Sequence, residues 1–204
     1  VVLREANGLS LRLAPSTRVA VLSPQDLRFE SGELYVDADP ALGAAPLTVR
    51  TAFGNVQHVG TQYALRSTDD ASRREASGVE VAVREGRVQL TRAAGEALAI
   101  EAGEALRLGR GGDVARRPLP ADDVSWNWLQ QTAAPIEIDG HTLAEFLRWY
   151  SRETGKPVTL SAGVAAPQTI RLSGSILGLT PDEALAAVAA STDLAVRRFP
   201  DHIE

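Results

Sequence analysis

The sequence predicts two folded parts: an all-β N-terminal domain of short stacked strands, solenoid- or sandwich-like, and a small α+β C-terminal domain of β-α-β-β-α-β order. Three observations carry this. Apolar residues alternate with period 2 up to about residue 109, they recur at helical spacing after residue 135, and the later region repeats one helix-then-strand pattern twice. The expected boundaries are 1–114 for the β domain, 115–134 for a linker rich in proline and tryptophan, and 135–204 for the αβ domain.

In the first domain Leu9, Leu11 and Leu13, then Val19 and Val21, Leu27 and Phe29, Leu34 and Val36, Val79, Val81 and Val83, and Val88 and Leu90 each keep one phase of a two-residue repeat. That is the mark of a strand with one buried face. Asn7-Gly8, Pro15-Ser16, Ser23-Pro24, Ser31-Gly32, Gly54-Asn55 and Glu85-Gly86 predict turns between them. The tandem copies AGEALAIE (94–101) and AGEALRLG (102–109) predict a strand laid on its own copy, as in a solenoid or tight meander.

In RTAFGNVQHVGTQYAL (50–65), Val59, Thr61, Tyr63 and Leu65 share one phase while Val56 and His58 hold the other. A slip beside Gly60 predicts a β-bulge, because one extra residue sends the following side chains to the opposite face. His58 therefore belongs to the framework. A catalytic role would need a base and an orienting acid close by, and nothing nearby completes a triad.

From Pro135 the period changes. Leu143, Phe146, Leu147 and Tyr150 follow i, i+3, i+4, i+7, Thr142 and Glu145 form a capping box, and Gly155 stands where the helix should end. A second helix starts at Thr180 with Pro181 in its first turn and Glu183 as box partner. Residues 142–158 and 180–196 align at an offset of 38, pairing Thr142 with Thr180, Glu145 with Glu183, Leu147 with Leu185, Thr154 with Thr192 and Val158 with Val196. Strands are expected at 136–138, 158–160, 169–175 and 194–199. The linker is expected to be extended at Pro118 and Pro120 and tied down by Trp126 and Trp128, the candidate interdomain anchors.

Composition narrows the functional classes. The chain has 204 residues, no cysteine and no methionine, and a formal net charge of −5. Disulfides and thiolate chemistry are excluded. Residues 1–118 are neutral, and the whole negative charge falls in 119–204, which argues against nucleic acid as a partner. Arg73-Arg74 and Arg116-Arg117 are isolated pairs and are expected in solvated loops. No apolar run of membrane-spanning length occurs. A chain that starts at Val1 without any methionine is expected to have been processed from something longer. Asp37 and Asp39 offer two carboxylates where calcium needs six or more oxygens, so a solvated turn before Pro40 is expected. His141 and His202 lack metal-ligand spacing, and no catalytic, cofactor or metal site is expected.

GELYVDADP, PLTVRTAFGNVQHVGTQYAL, VEVAVREGRVQL and AGEALRL, in this order, resemble the periplasmic FecR domain, with its V-x-x-x-G-T-x-[FY] strand and E-G-x-V hairpin. Residues 135–204 resemble the small STN domain at the N-termini of secretins and TonB-dependent receptors, which also closes many FecR-type regulators. The resemblance implies a receiver in cell-surface signalling. Its partner would be the N-terminal signalling domain of a TonB-dependent outer-membrane receptor, and the message would pass to an extracytoplasmic-function sigma factor through a cytoplasmic segment before Val1. The chain would meet the membrane only through a transmembrane helix, also before Val1, and would lie in the periplasm.

The residues expected to contact a partner follow from this frame. Trp149 lies ~100° from the centre of the apolar stripe of its helix, and its counterpart in the repeat is Ala187, so the fold itself does not require a tryptophan there. The plainer expectation, and the one placed ahead, is that it covers the first half of its own chain. Leu194, Val196, Arg198 and Phe199 belong to the last strand, the expected open edge for an incoming strand. Glu137, Asp182 and Asp193 would steer a basic partner. The rival expectation is a carbohydrate- or peptidoglycan-binding module in which Trp126, Trp128 and Trp149 stack on sugar rings.

Overall fold

The computed structural model describes residues 1–4, 8–39, 43–68, 77–133, 135–161, 166–199 and 202–204. Asn7, Pro40 and Arg73-Arg74 lie outside the described residues. The chain divides into two units, Val1–Pro120 and Ala121–Glu204, each with its own apolar core.

In the first unit the strands are β1 (Val2–Arg4), β2 (Leu9–Leu13), β3 (Arg18–Ser23), β4 (Asp26–Ser31), β5 (Glu33–Ala38), β6 (Thr48–Thr51), β7 (Gly54–Thr68), β8 (Gly78–Thr91), β9 (Ala97–Glu101), β10 (Glu104–Gly109) and β11 (Val114–Pro118), all in one sheet. Its spine is the long antiparallel pair β7–β8, running from Asn55 opposite Thr91 to Thr68 opposite Gly78. Along β7, β6 pairs with the first residues and β5 with the last. Along β8, β10 pairs with the first residues and β9 with the last. β2 and β1 extend the sheet beyond β5, β11 extends it beyond β10, and β4 and β3 extend it beyond β6, with β4 parallel to β6.

The spine is bent at its middle. Its register shifts between Val59 and Gln62 and again at Tyr63, where the phase slip in the sequence predicts a bulge. Gly60 (φ 56°) and Gly86 (φ 78°) take left-handed backbone there. A Cβ on Gly86 would stand 2.6 Å from the Gly60 carbonyl oxygen and 2.7 Å from Thr61 Cγ2, so the two strands cross at a distance only glycine allows. The bend curls the sheet into a half-barrel, and its concave side packs Leu34, Val36, Val56, Leu65, Val81 and Val83, all fully buried, into one core. Each such side chain contributes roughly 1.5–3 kcal/mol.

This is neither a solenoid nor a sandwich, and three expectations are corrected. The copies AGEALAIE and AGEALRLG do not stack. β9 and β10 run in the same direction, end to end, along one side of β8, because the connecting Ala102 and Gly103 N–H groups donate to Gly86 and Val83 of that same strand (3.0 and 2.9 Å) and never reverse the chain. Glu85-Gly86 is not a hairpin turn but the bulge inside β8. The turn placed at Gly54-Asn55 falls at Ala52-Phe53, where the Thr51 hydroxyl accepts from the Phe53 N–H (3.0 Å) and donates to the Gly54 carbonyl (2.8 Å).

The second unit opens with a 3₁₀ helix, Val124–Thr132, capped by the Asp123 carboxylate on the Ser125 N–H at 2.9 Å. Two α-helices follow, α1 (Leu143–Thr154) and α2 (Pro181–Ser191). Both expected capping boxes are complete, Thr142 with Glu145 and Thr180 with Glu183. The repeat extends to the helix ends. The Thr154 and Thr192 hydroxyls both donate to the carbonyl four residues back at 2.8 Å, and Gly155 (φ 71°) and Asp193 (φ 55°), again 38 apart, both adopt left-handed backbone.

The expected β-α-β-β-α-β sheet is not formed. Where strands were expected at 136–138, 158–160, 169–175 and 194–199, the described residues show only the isolated bridges Thr142–Arg171, Val158–Ile203 and Arg198–Ile203. Pro135, Pro157 and Pro167 stand just before the first three of these segments and Gly174 lies inside the third, and a proline at a strand's start removes a donor that a longer ladder needs. The core is instead made by the helices on irregular segments, with Phe146, Tyr150, Leu172, Ala184, Val188 and Ile203 buried together.

Candidate partner-binding surface

Leu194, Val196, Arg198 and Phe199 lie on the extended stretch that leaves α2. The chain's own C-terminus covers one side of it. Arg197 and Glu204 exchange backbone hydrogen bonds (2.7 and 2.9 Å), and the Phe199 N–H donates to the His202 carbonyl at 3.0 Å. Ile203 in turn bonds Pro157 and Thr159 (3.0 and 2.8 Å), so residues 202–204 sit in the middle and 194–199 forms the margin. On the outer side, the backbone N–H and C=O groups of Val196 and Arg198 make no hydrogen bond among the described residues.

The side chains along this margin differ in kind. Leu194 and Val196 line a shallow apolar groove of about 60 Å³ together with Leu147 and Leu160. Phe199, 39% exposed, stacks on His202 with centroids 4.4 Å apart and planes within 1°. Arg198 donates to Asp182 Oδ1 at 2.6 Å, and the Tyr150 hydroxyl donates to the same oxygen at 2.9 Å. Burial works to raise the Asp182 carboxyl, but the hydrogen bonds from Arg198 and Tyr150 outweigh it and hold the group below the usual carboxylate range. Burial, then the bond to Asp182, pushes the Tyr150 hydroxyl up to about 12. With both ionic partners nearly half exposed, the Arg198–Asp182 pair is worth about 0–1 kcal/mol. Its effect is to fix where the guanidinium sits.

The other nominated residues are dispersed. Asp193 is exposed at the C-terminus of α2, and Glu137 is exposed. Trp149 is half-buried against Phe146 (5.5 Å between centroids) and lines a separate cleft of about 280 Å³ with Gln130, Gln131 and Leu179, sharing no lining residue with the groove at Leu194. Trp126 is buried and Trp128 half-buried in the 3₁₀ helix, which packs beside α1. With Trp126 covered, the three tryptophans do not present one sugar-stacking face.

His58 is buried in the bent spine, where its Nε2 accepts from the Leu47 N–H at 3.0 Å. Burial lowers its pKa, so the ring is neutral. No group of three or more His, Cys, Asp or Glu that could hold a metal occurs among the described residues, and none of their helices is long and apolar enough to cross a membrane. Sequence reasoning placed Tyr150 only in the core stripe and missed its hydroxyl as the partner of Asp182. The 32-residue separation hides that contact, and the only signal was a tyrosine where phenylalanine would have sufficed for packing.

Comparison with known proteins bears on the first unit most directly. Residues 1–89 match the family model described as FecR protein, a match that ends inside β8. No curated protein matches the chain significantly. Two crystal structures of a protein from Parabacteroides distasonis ATCC 8503, described as a "putative anti-sigma factor", are similar in fold. One is 16% identical with a TM-score of 0.49, the other 18% identical with a TM-score of 0.50, and each comparison covers 100% of this chain and 92% of that one. At such identity the second likeness speaks for the fold alone. The stretch that matches the FecR family model, residues 1–89, contains both glycines of the bend, Gly60 and Gly86.

Proposed function

We propose that the chain is the periplasmic receiver of an anti-sigma regulator, which binds the N-terminal signalling domain of a TonB-dependent outer-membrane receptor and relays the signal to an extracytoplasmic-function sigma factor. The observation that carries this reading is the match of residues 1–89 to the FecR family model. The fold likeness, at a TM-score of 0.50, to a protein described as a "putative anti-sigma factor" is consistent with it. In this reading the second unit is an STN-like module whose strands are reduced to bridges, and the paired capping boxes of its repeated helices support that. The role is binding rather than catalysis.

The docking mode is strand addition at Val196 and Arg198. Their outward backbone groups meet no partner among the described residues, and the groove beside Leu194 and Val196 offers side-chain contacts to an incoming strand. The net charge of −5 in the second half favours a basic partner surface. The test is calorimetric titration of the full chain with the receptor's signalling domain, wild type against Val196→Pro. Proline removes the outward N–H, and such positions tolerate it because no bond within the chain is lost. Loss of binding by about tenfold or more is expected. An unchanged affinity rejects strand addition at this margin, and absence of binding by the wild-type chain at high micromolar concentration rejects the receptor as partner.

A further inference from the structure

The cleft beside Trp149 lies wholly within the second unit and holds about 280 Å³. A cavity of about 150 Å³ admits a benzene ring, so there is room here for one saturated six-membered ring with its substituents. None of the residues that line it is charged. Ile136 and Trp149, both half-buried, and Ile176, buried, give it apolar walls, to which the exposed Leu179 adds. Its polar side chains come from Gln130, Gln131 and Thr180. The Thr180 hydroxyl is committed to its capping box, donating to Glu183 Oε2 at 2.7 Å and accepting from the Glu183 N–H at 3.4 Å. The side-chain amides of Gln130 and Gln131 make no hydrogen bond among the described residues. Local bonds hold the lining in shape. The Ala133 N–H donates to the Gln130 carbonyl at 3.4 Å, and the Leu179 N–H donates to the Ile176 carbonyl at 3.1 Å, with Gly178 (φ 84°) in left-handed backbone inside that turn.

We propose that this cleft binds an uncharged pyranose sugar. With no charge in the lining, a charged ligand would give up its water for no opposite charge. A purely apolar ligand would cover the two amides and leave them without partners. A pyranose meets both parts of the lining. Its ring presents C–H groups, which the electron-rich face of an indole attracts, and its hydroxyls both donate and accept, as a glutamine amide does through its NH2 and its carbonyl. Such a site requires one tryptophan, not the three-tryptophan face that burial of Trp126 removes. The cleft shares no lining residue with the groove at Leu194, so sugar binding and strand addition are independent.

The test titrates the full chain with methyl glucoside, N-acetylglucosamine and cyclohexanol, each followed by calorimetry, by the indole N–H shift of Trp149 and by the side-chain amide shifts of Gln130 and Gln131. Saturation by a sugar in the millimolar range is expected, with cyclohexanol, which has a single hydroxyl, weaker by about tenfold. Whichever sugar binds more tightly gives the source, amino sugar or plain hexose. Q130A/Q131A should weaken that sugar by about tenfold as well. Gln131 is exposed and Gln130 half-buried, so the double variant should keep the wild-type circular dichroism, and the cyclohexanol comparison on the wild type needs no variant. Four results would each overturn the proposal: no saturation by either sugar up to tens of millimolar, saturation that leaves the Trp149 indole signal in place, cyclohexanol binding as tightly as the sugar, or unchanged sugar affinity in Q130A/Q131A.

Discussion

Gly86→Ala should be among the most damaging single-methyl additions in the first unit. An L-residue in left-handed backbone costs about 1–2 kcal/mol. Gly86 (φ 78°) carries that cost and a second one, since its Cβ would stand 2.6 Å from the Gly60 carbonyl oxygen and 2.7 Å from Thr61 Cγ2. Both obstacles belong to the bulge that bends the spine, and the oxygen is backbone, so relief requires the two strands to separate. Overpacking of this kind adds roughly 1–3 kcal/mol, for a total of about 2–5 kcal/mol. Gly103 provides the control. Its φ of 82° is nearly the same, but a Cβ there would meet nothing within 4 Å, so Gly103→Ala should show the backbone cost alone. In urea, with a slope of about 2 kcal/mol per molar, the Gly86 variant should unfold at a midpoint about 1–2.5 M below wild type and the Gly103 variant about 0.5–1 M below. Far-ultraviolet circular dichroism follows the β-rich unit. Equal midpoints for the two variants would refute the close crossing as what holds the bend.

Two further predictions concern the ends of the helix repeat and the buried histidine. Gly155→Ala should cost about 1 kcal/mol, while Asp193→Gly, at the equivalent left-handed position, should be neutral or stabilising by about 0.5 kcal/mol, both read from thermal unfolding; a destabilised Asp193→Gly would contradict the equivalence. His58 must be neutral to accept from Leu47, and burial lowers its pKa, so the folded chain binds fewer protons than the unfolded one between the folded pKa and the ordinary value of about 6.5. Its contribution is therefore complete above about pH 6.5 and declines as pH falls toward the folded pKa. The fall in urea midpoint between about pH 7 and about pH 5 should be smaller in His58→Asn than in wild type, and equal slopes would exclude His58 as its source.

Local patterns in the sequence were sufficient wherever the determining interaction is local. Alternation at Leu9–Leu13, Leu34–Val36 and Val79–Val83 marks the faces of β2, β5 and β8 that pack the apolar core, because side chains two residues apart share a face whatever the neighbouring strand is, but it does not show that Arg12, Tyr35 and Arg84 on the opposite face are buried too. Thr142 with Glu145 and Thr180 with Glu183 specify both helix starts, since a capping box closes within four residues. The slip at Gly60 is legible for the same reason.

Pairing is a different matter, because alternation says which face is buried but not which strand lies alongside. Only the folded sheet decided that residues 78–91 form one bent strand, that the AGEAL copies lie end to end on it rather than stacked, and that β4 runs parallel to β6. Tertiary structure likewise replaced the expected strands of the second unit with bridges, because a ladder of one or two bonds cannot compete with helix packing. It also joined Tyr150, Asp182 and Arg198, and brought Gln130, Trp149 and Leu179 to one cleft, through contacts between residues tens of positions apart. Such contacts depend on how the chain closes its loops and registers its strands, which no short window of sequence encodes.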